Sequence, residues 1–276
     1  MIVAIQGGKA SFHEVAAKEF FKTSFQTVEC QTFAELMKKL EKKEADYAVM
    51  AIENTIAGSI LSNYTLIQQF GFPVIGEIRL RIVLHLMALP GTQIQDIQTI
   101  KSHYMALLQC ADFLEQFPTI KIEEYHDTAD AAKYIAENRL KKEAAIAGRL
   151  AADYYNLSIL YSGIETFKMN YTRFLILSSD PNATVSLPNK ASLSFVLYNE
   201  PGSLSKVLNV FYIHNINLTK IQSIPLLGSL DEYTFYVDCD WDSIQKFENS
   251  IKDIKKLVNK IQILGIYQKG QVIEST

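Results

Sequence analysis

Cysteine is scarce in this sequence: Cys30, Cys110 and Cys239 are the only three in 276 residues, far apart and without C-x-x-C spacing. An odd, dispersed set excludes a disulfide framework and a zinc ribbon. The five histidines are equally scattered, so neither a metal nor another cofactor is expected. An excess of one charge is also lacking. Lys and Arg number 27 against 30 Asp and Glu, and they are interspersed, which leaves no basic face to neutralise a run of phosphates and excludes nucleic acid as a partner. The opening MIVAIQGGKASF has neither a basic n-region nor a long apolar h-region. The longest apolar run, IVLHLMALP at 82–90, is too short to span a bilayer. A cytoplasmic chain without membrane contact is expected. Low-complexity tracts and internal repeats are absent as well.

What is present is a chain that is 48% apolar, with a mean hydropathy near zero, and long enough for two ordinary domains. Up to about residue 178, short apolar runs (IVAIQ, YAVMAIE, a pair within FPVIGEIRLRIVLHLMAL, TIKSH, AAIAG, TRFLILS) alternate with amphipathic stretches (SFHEVAAKEFFK, FAELMKKLEKK, YMALLQCADFLEQF, TADAAKYIAENRL, RLAADYYN). This alternation predicts an α/β domain with largely parallel sheets. Ser11 with Glu14, and Thr32 with Glu35, fit the S/T-x-x-E capping box. SSDPNATVSLPNK, at 178–190, breaks the pattern and reads as a linker. The remainder orders as β-α-β-β-α-β in under 90 residues, the ferredoxin-like arrangement.

Three strand-to-helix transitions offer small polar groups where unpaired helix N–H groups favour anions: GGKASFHE at 7–14, IENTIAGS at 52–59 and KSHYMALLQC at 101–110. With Thr172 and Arg173 they form a donor-rich set with one fixed cation, suited to a small molecule bearing carboxylates. Each member also has a structural reading. Ser11 and Ser102 serve as helix caps, His103 as a solvated helix-start residue, Glu53 as a paired or solvated carboxylate, and Asn54 and Thr55 as turn formers. Arg173 fits a surface ion pair, and Gln109 and Cys110 fit helix-interior packing. The residues alone leave an enzyme or receptor for a small carboxylate.

AIENTIAGSI at 51–60 resembles the I-E-N-S-x-x-G-S segment of the prephenate dehydratase family in its form with a C-terminal ACT regulatory domain. SHYMALLQC at 102–110 resembles that family's S-H-P-Q-A-L-x-Q-C, and NYTRF at 170–174 its N-x-T-R-F. EPGSLSKVL and NLTKIQSIP resemble the ACT segments P-G-A-L-x-x-x-L and N-L-T-K-I-E-S-R-P. The resemblance covers nearly the whole chain. It implies a two-lobed, type II periplasmic-binding-protein-like catalytic domain over 1–180, and a ferredoxin-like ACT domain over 190–276. The implied reaction is decarboxylating dehydration of prephenate to phenylpyruvate, a carbon–oxygen lyase step toward L-phenylalanine.

The resemblance assigns catalysis to Thr172, Arg173 and Glu53, and substrate contact to Ser11, Asn54, Thr55, Ser102, His103, Gln109 and Phe174. Thr172 faces the departing hydroxyl, Arg173 anchors a carboxylate, and Glu53 or His103 is the ultimate proton source. Gly202, Ser203, Leu204, Asn217, Leu218, Gln222 and Ser223 are assigned to the effector L-phenylalanine, with self-association through ACT domains as a dimer or tetramer. The departures are local. Thr55 replaces Ser, Tyr104 and Met105 stand where Pro-Gln is common, and Lys9 and Ala10 reduce a glycine-rich opening motif. Gln222 and Ile224 replace a Glu and an Arg, which implies altered effector affinity. No chorismate mutase helix is read before Met1. Two rivals stay open at this point: arogenate as the substrate, and a non-catalytic amino-acid sensor.

Overall fold

The computed structural model describes residues 1–226, 228 and 232–274; Asp231, which opens the expected strand DEYTFYVDCD, and the terminal Ser275 and Thr276 lie outside the described residues. The chain divides into one unit of Met1–Ser59, Ile78–Phe174 and Val272–Thr276, and another of Ile60–Glu77 and Leu175–Gln271.

The first unit holds two sheets, one per lobe. In the first lobe the strand Ile2–Gln6, buried through its middle, runs parallel to Gln26–Cys30 on one side and to Tyr47–Asn54 on the other. Parallel neighbours need crossovers, and the helices Phe12–Phe21 and Phe33–Glu41 supply them. Residues 171–174 and 78–81 continue this sheet past Tyr47–Asn54, and the short strand Val272–Ile273 lies parallel to Arg79 and Leu80. The second lobe orders its strands as Ser158–Tyr161, His85–Ala88, Glu143–Ala147, Thr99–Ser102 and Lys121–Glu124. Pairing is parallel among the last three and antiparallel at His85–Ala88. The helices Thr128–Glu137 and Arg149–Tyr155 close its core, where Ala129, Ala132, Ile135 and Ala152 meet Met87 and Ala145. This is the expected two-lobed, periplasmic-binding-protein-like α/β arrangement.

Several local expectations differ. Thr32 Oγ1 accepts the Glu35 N–H at 3.1 Å, as a cap should, while the Glu35 carboxylate reaches the N–H of Gln31 at 2.8 Å. Ser11 caps nothing; the Glu14 carboxylate instead accepts the Ala10 N–H at 2.6 Å. The expected single helix from Tyr104 is two, Tyr104–Gln109 and Ala111–Leu114, because Cys110 leaves the helical region at φ −107°, ψ 17°. Strands Gln26–Cys30, Lys121–Glu124 and Ser158–Tyr161 and the helix Leu61–Phe70 were not expected from the pattern.

The second unit contains Lys190–Leu197, helix Ser203–Ile213, Asn217–Pro225, Tyr233–Asp240, helix Ile244–Ile254 and Val258–Tyr267, the expected βαββαβ order. The strands are all antiparallel, with Asn217–Pro225 at one edge of the ACT-like sheet. Both helices pack on one face through Val207, Phe211, Phe247 and Ile251 against Leu193, Phe195 and Val237. The helix Leu61–Phe70 also belongs here. Tyr64 packs against Tyr236 at 5.3 Å between ring centroids, the Tyr236 hydroxyl donates to Gln68 Oε1, and Gln262 Nε2 donates to Gln68 O at 3.2 Å. The side chains of Lys190 and Glu77 are fully buried and paired at 2.8 and 2.9 Å.

Among the described residues no helix is long and apolar enough to cross a membrane, and no group of three or more His, Cys, Asp or Glu is placed to hold a metal. All three cysteines are buried free thiols.

Candidate active site

Asn54 ends the strand Tyr47–Asn54, and its side chain is fixed from both sides. Its Oδ1 accepts the N–H groups of Ile56 and Ala57, each at 2.9 Å. Two backbone donors settle which end of the amide is oxygen, so Nδ2 points the other way. There it donates to Asn170 Oδ1 at 2.7 Å and to Thr172 Oγ1 at 3.0 Å. Asn170, wholly buried, in turn donates to Gln109 Oε1 at 2.9 Å. One chain of amides therefore links the first lobe to a helix of the second and ends on the Thr172 hydroxyl.

Strand alternation divides the rest. Successive side chains of an extended strand point to opposite faces. Phe174 shares the Thr172 face and meets the His13 ring edge-on at 5.0 Å, and His13 also contacts Phe33. His13 sits on the helix that follows Ser11, whose buried Oγ has no hydrogen-bond partner among the described residues. Burial drives the His13 imidazole down to a pKa of about 3, so it is neutral and packs as an aromatic ring. Gly7, at φ +86°, opens the same loop. A Cβ there would lie 2.7 Å from Asp127 Oδ2, so only glycine permits this approach between lobes. Ala10 occupies the left-handed region at φ 67°, at one of the positions where the glycine-rich motif is reduced.

Arg173, on the other face, is 3% exposed and lies 3.5 Å from Glu53 Oε1. Tyr171, Arg173, Glu53, Asn54 and Thr55 line a cavity of about 500 Å³ together with Arg79 and Val272. Thr172 is not among its lining residues. Thr55 is engaged structurally, its hydroxyl donating to Met169 O at 2.8 Å and accepting the Tyr171 N–H at 2.9 Å.

Ser102 is buried and donates to Ile146 O at 2.6 Å, while His103, exposed, caps the next helix by accepting the Met105 N–H at 3.2 Å. Burial pushes the Cys110 thiol up to a pKa of about 12, which makes it inert. In the second unit Gly202 caps its helix at φ +82°, Ser203 is buried, and Leu204 and Leu218 pack against the core. Asn217 donates to Asp240 Oδ1 at 2.9 Å, and Gln222 donates to Ser223 O at 3.2 Å.

Sequence reasoning quoted Asn170 inside NYTRF without assigning it a role. It also passed over Asp127, Arg79, Tyr171 and Glu274. Asp127 is raised above the usual carboxylate range by burial, although its Oδ1 accepts two helix N–H groups. The Glu274 carboxylate accepts the Tyr171 hydroxyl at 2.7 Å and pairs with Arg81 at 3.1 Å. The Asp-Thr-Ala start of a helix was the signal for Asp127. For Glu274, 103 residues from Tyr171, the sequence carries none.

The family model described as prephenate dehydratase matches residues 3–182, and that described as ACT domain matches 191–260. The bifunctional chorismate mutase/prephenate dehydratase of Aquifex aeolicus is 37% identical, the match covering 99% of this chain and 75% of the relative. Arogenate dehydratase 2 of Petunia hybrida is 36% identical, over 96% of this chain and 71% of the relative. The solved structure of GqqA, described as a novel type of quorum quenching acylases, is 28% identical with a TM-score of 0.87, covering 98% of each chain.

Proposed function

Since the chain belongs to the prephenate dehydratase family and is with it a carbon–oxygen lyase, we propose that it converts prephenate to phenylpyruvate with loss of water and carbon dioxide. The observation that carries this reading is the bond from Asn54 Nδ2 to Thr172 Oγ1. An oxygen that accepts from an amide has its own proton free to point elsewhere. That leaves the Thr172 hydroxyl proton available to donate to the leaving hydroxyl of the substrate, which supports this reading. Electrons released by decarboxylation expel that group, and the ring becomes aromatic. Hydroxide leaves poorly unless hydrogen-bonded or protonated as the bond breaks.

In this reading Thr172 is the donor at the reacting oxygen, and Glu53 or His103 is the ultimate proton source. Ser11, Asn54, Thr55, Ser102, His103, Gln109 and Phe174 surround the substrate. Arg173, paired with Glu53 behind the strand, supplies cationic charge to a site that must hold a dianion. Residues 1–180 form the catalytic domain and 190–276 the regulatory one, in a cytoplasmic homo-oligomer.

L-phenylalanine acts as feedback effector at Gly202, Ser203, Leu204, Asn217, Leu218, Gln222 and Ser223. Its effect reaches the site through the helix Leu61–Phe70, which follows the Asn54 turn and the short strand Gly58–Ser59 in the chain and is gripped by Tyr236 and Gln262. An effector shifts a two-state equilibrium only by its differential affinity for the two states.

The similarity to the Petunia arogenate dehydratase favours a second reading, the same chemistry on the amino analogue. Acylase activity, the activity named in the GqqA description, has less support, because the Cys110 thiol is inert and the Ser102 hydroxyl donates to a backbone carbonyl. Assaying the purified chain with prephenate, arogenate and an acylated amide in parallel separates the three. Turnover of prephenate at the highest kcat/KM is the expected result.

A further inference from the structure

The cavity on the reverse face of the Thr172 strand has an unmatched charge. Ile82 N donates to Asn170 O at 2.7 Å, and Ser178 N donates to Pro73 O at 3.0 Å. These bonds run the two strands antiparallel. Three residues back from Ile82 and three forward from Asn170 place Arg79 across from Arg173, and both line the cavity. Like charges facing across a pair of strands are unfavourable unless an anion lies between them. Glu53 is the only carboxylate among the lining residues, and it pairs with Arg173. Arg79 forms no ion pair among the described residues and stands half-buried at the wall.

The rest of the wall is apolar or neutral. Met169, Tyr171 and Val272 supply apolar surface, and Thr55 and Ser59 add hydroxyls. A site of about 500 Å³ lies within the range that small-molecule sites occupy. Val272 belongs to the short strand beside Arg79, and the adjoining Glu274 is held by Tyr171 and Arg81, so that wall is anchored.

We propose that this cavity binds a small organic monocarboxylate with an apolar body, its carboxylate held by the planar fork of Arg79 and its body against Tyr171, Met169 and Val272. The cavity lies on the strand face opposite Thr172 and shares Glu53, Asn54, Thr55 and Arg173 with the residues proposed around the substrate; its ligand is recognised through Arg79, so the site stands whether or not the chain turns over prephenate.

The test uses 3-phenylpropionate as probe and the full chain. The Met169 methyl resonance, assigned by Met169→Leu, reports binding locally by 13C-methyl NMR. Titration calorimetry counts sites. The wild type is expected to show a saturable shift at Met169. Arg79→Gln should weaken that binding at least tenfold, Arg79→Lys less so, and Val272→Trp should abolish it by filling the space. Thr172→Val should leave it intact, and thermal melts confirm that each variant folds. No Met169 shift at millimolar probe, equal binding in Arg79→Gln, or loss of binding in Thr172→Val overturns the proposal.

Discussion

Asn54 Nδ2 donates to Thr172 Oγ1 at 3.0 Å, and the same amide is locked by two backbone N–H groups on its oxygen. The hydroxyl oxygen therefore accepts from Asn54, which leaves its own proton available to another acceptor. That relationship makes Asn54 separable from the turn it builds.

Asn54→Asp retains the acceptor for Ile56 and Ala57 and removes the donor to Thr172. The Thr172 proton then turns toward the new carboxylate instead of the substrate. Turnover should fall by about 10²-fold or more, within the usual range for lost acid–base assistance, with a smaller change in KM. Steady-state kinetics with a circular dichroism control checks this; an unchanged kcat in a folded variant contradicts it.

His13 predicts an acid-sensitive first lobe. Its folded pKa, about 3, lies below the unfolded value of 6.5, so between those values the unfolded chain binds the extra proton. The associated stability is fully present above pH 6.5 and is lost as pH falls toward 3. The loss approaches about 1.4 kcal/mol per pH unit for one proton. His13→Phe keeps the aromatic packing against Phe174 and should flatten that slope in denaturant titrations at pH 4 and pH 7. An identical slope in the variant rules out His13 as its source.

The sequence made some of this architecture plain and concealed the rest for identifiable reasons. Apolar runs such as YAVMAIE and FLIL had to be strands, and the capping Thr32 had to start a helix. The strand Lys121–Glu124 was missed because only Ile122 among its residues is apolar, and half-exposed edge strands do not announce themselves by hydrophobicity. The helix Leu61–Phe70 was missed because its amphipathic pattern is weak and it has no cap side chain. Thr172 and Arg173 were read together from T-R-F, yet alternation sets them on opposite faces of one strand, which a motif written in a line does not convey. Asn170 and Gln109, 61 residues apart, meet only in the fold.

In the second unit, Glu77→Gln removes one carboxylate that is paired with the fully buried Lys190 ammonium and also disturbs the acceptor of the Gly270 N–H. The variant should lose about 3–5 kcal/mol of stability. The double variant Glu77→Leu, Lys190→Met should recover most of it, since the buried pair itself adds little net stability over apolar packing. Chemical denaturation of all three chains is the check, and a Glu77→Gln midpoint equal to wild type refutes it.

If regulation passes through the helix Leu61–Phe70, Tyr236→Phe removes the hydroxyl that grips Gln68 while leaving the ring against Tyr64. Basal turnover should stay near wild type while the inhibition by L-phenylalanine weakens. Dose–response curves read this directly, and full inhibition in the variant places the coupling elsewhere.

The central claim, that Thr172 assists departure of the substrate hydroxyl, is tested most directly by phenylpyruvate formation from prephenate in the wild type and in Thr172→Val. Rapid turnover by the wild type, a kcat about 10²-fold or more lower in the isosteric variant, and a nearly unchanged KM are predicted. Near-normal turnover by a folded Thr172→Val chain would contradict the account.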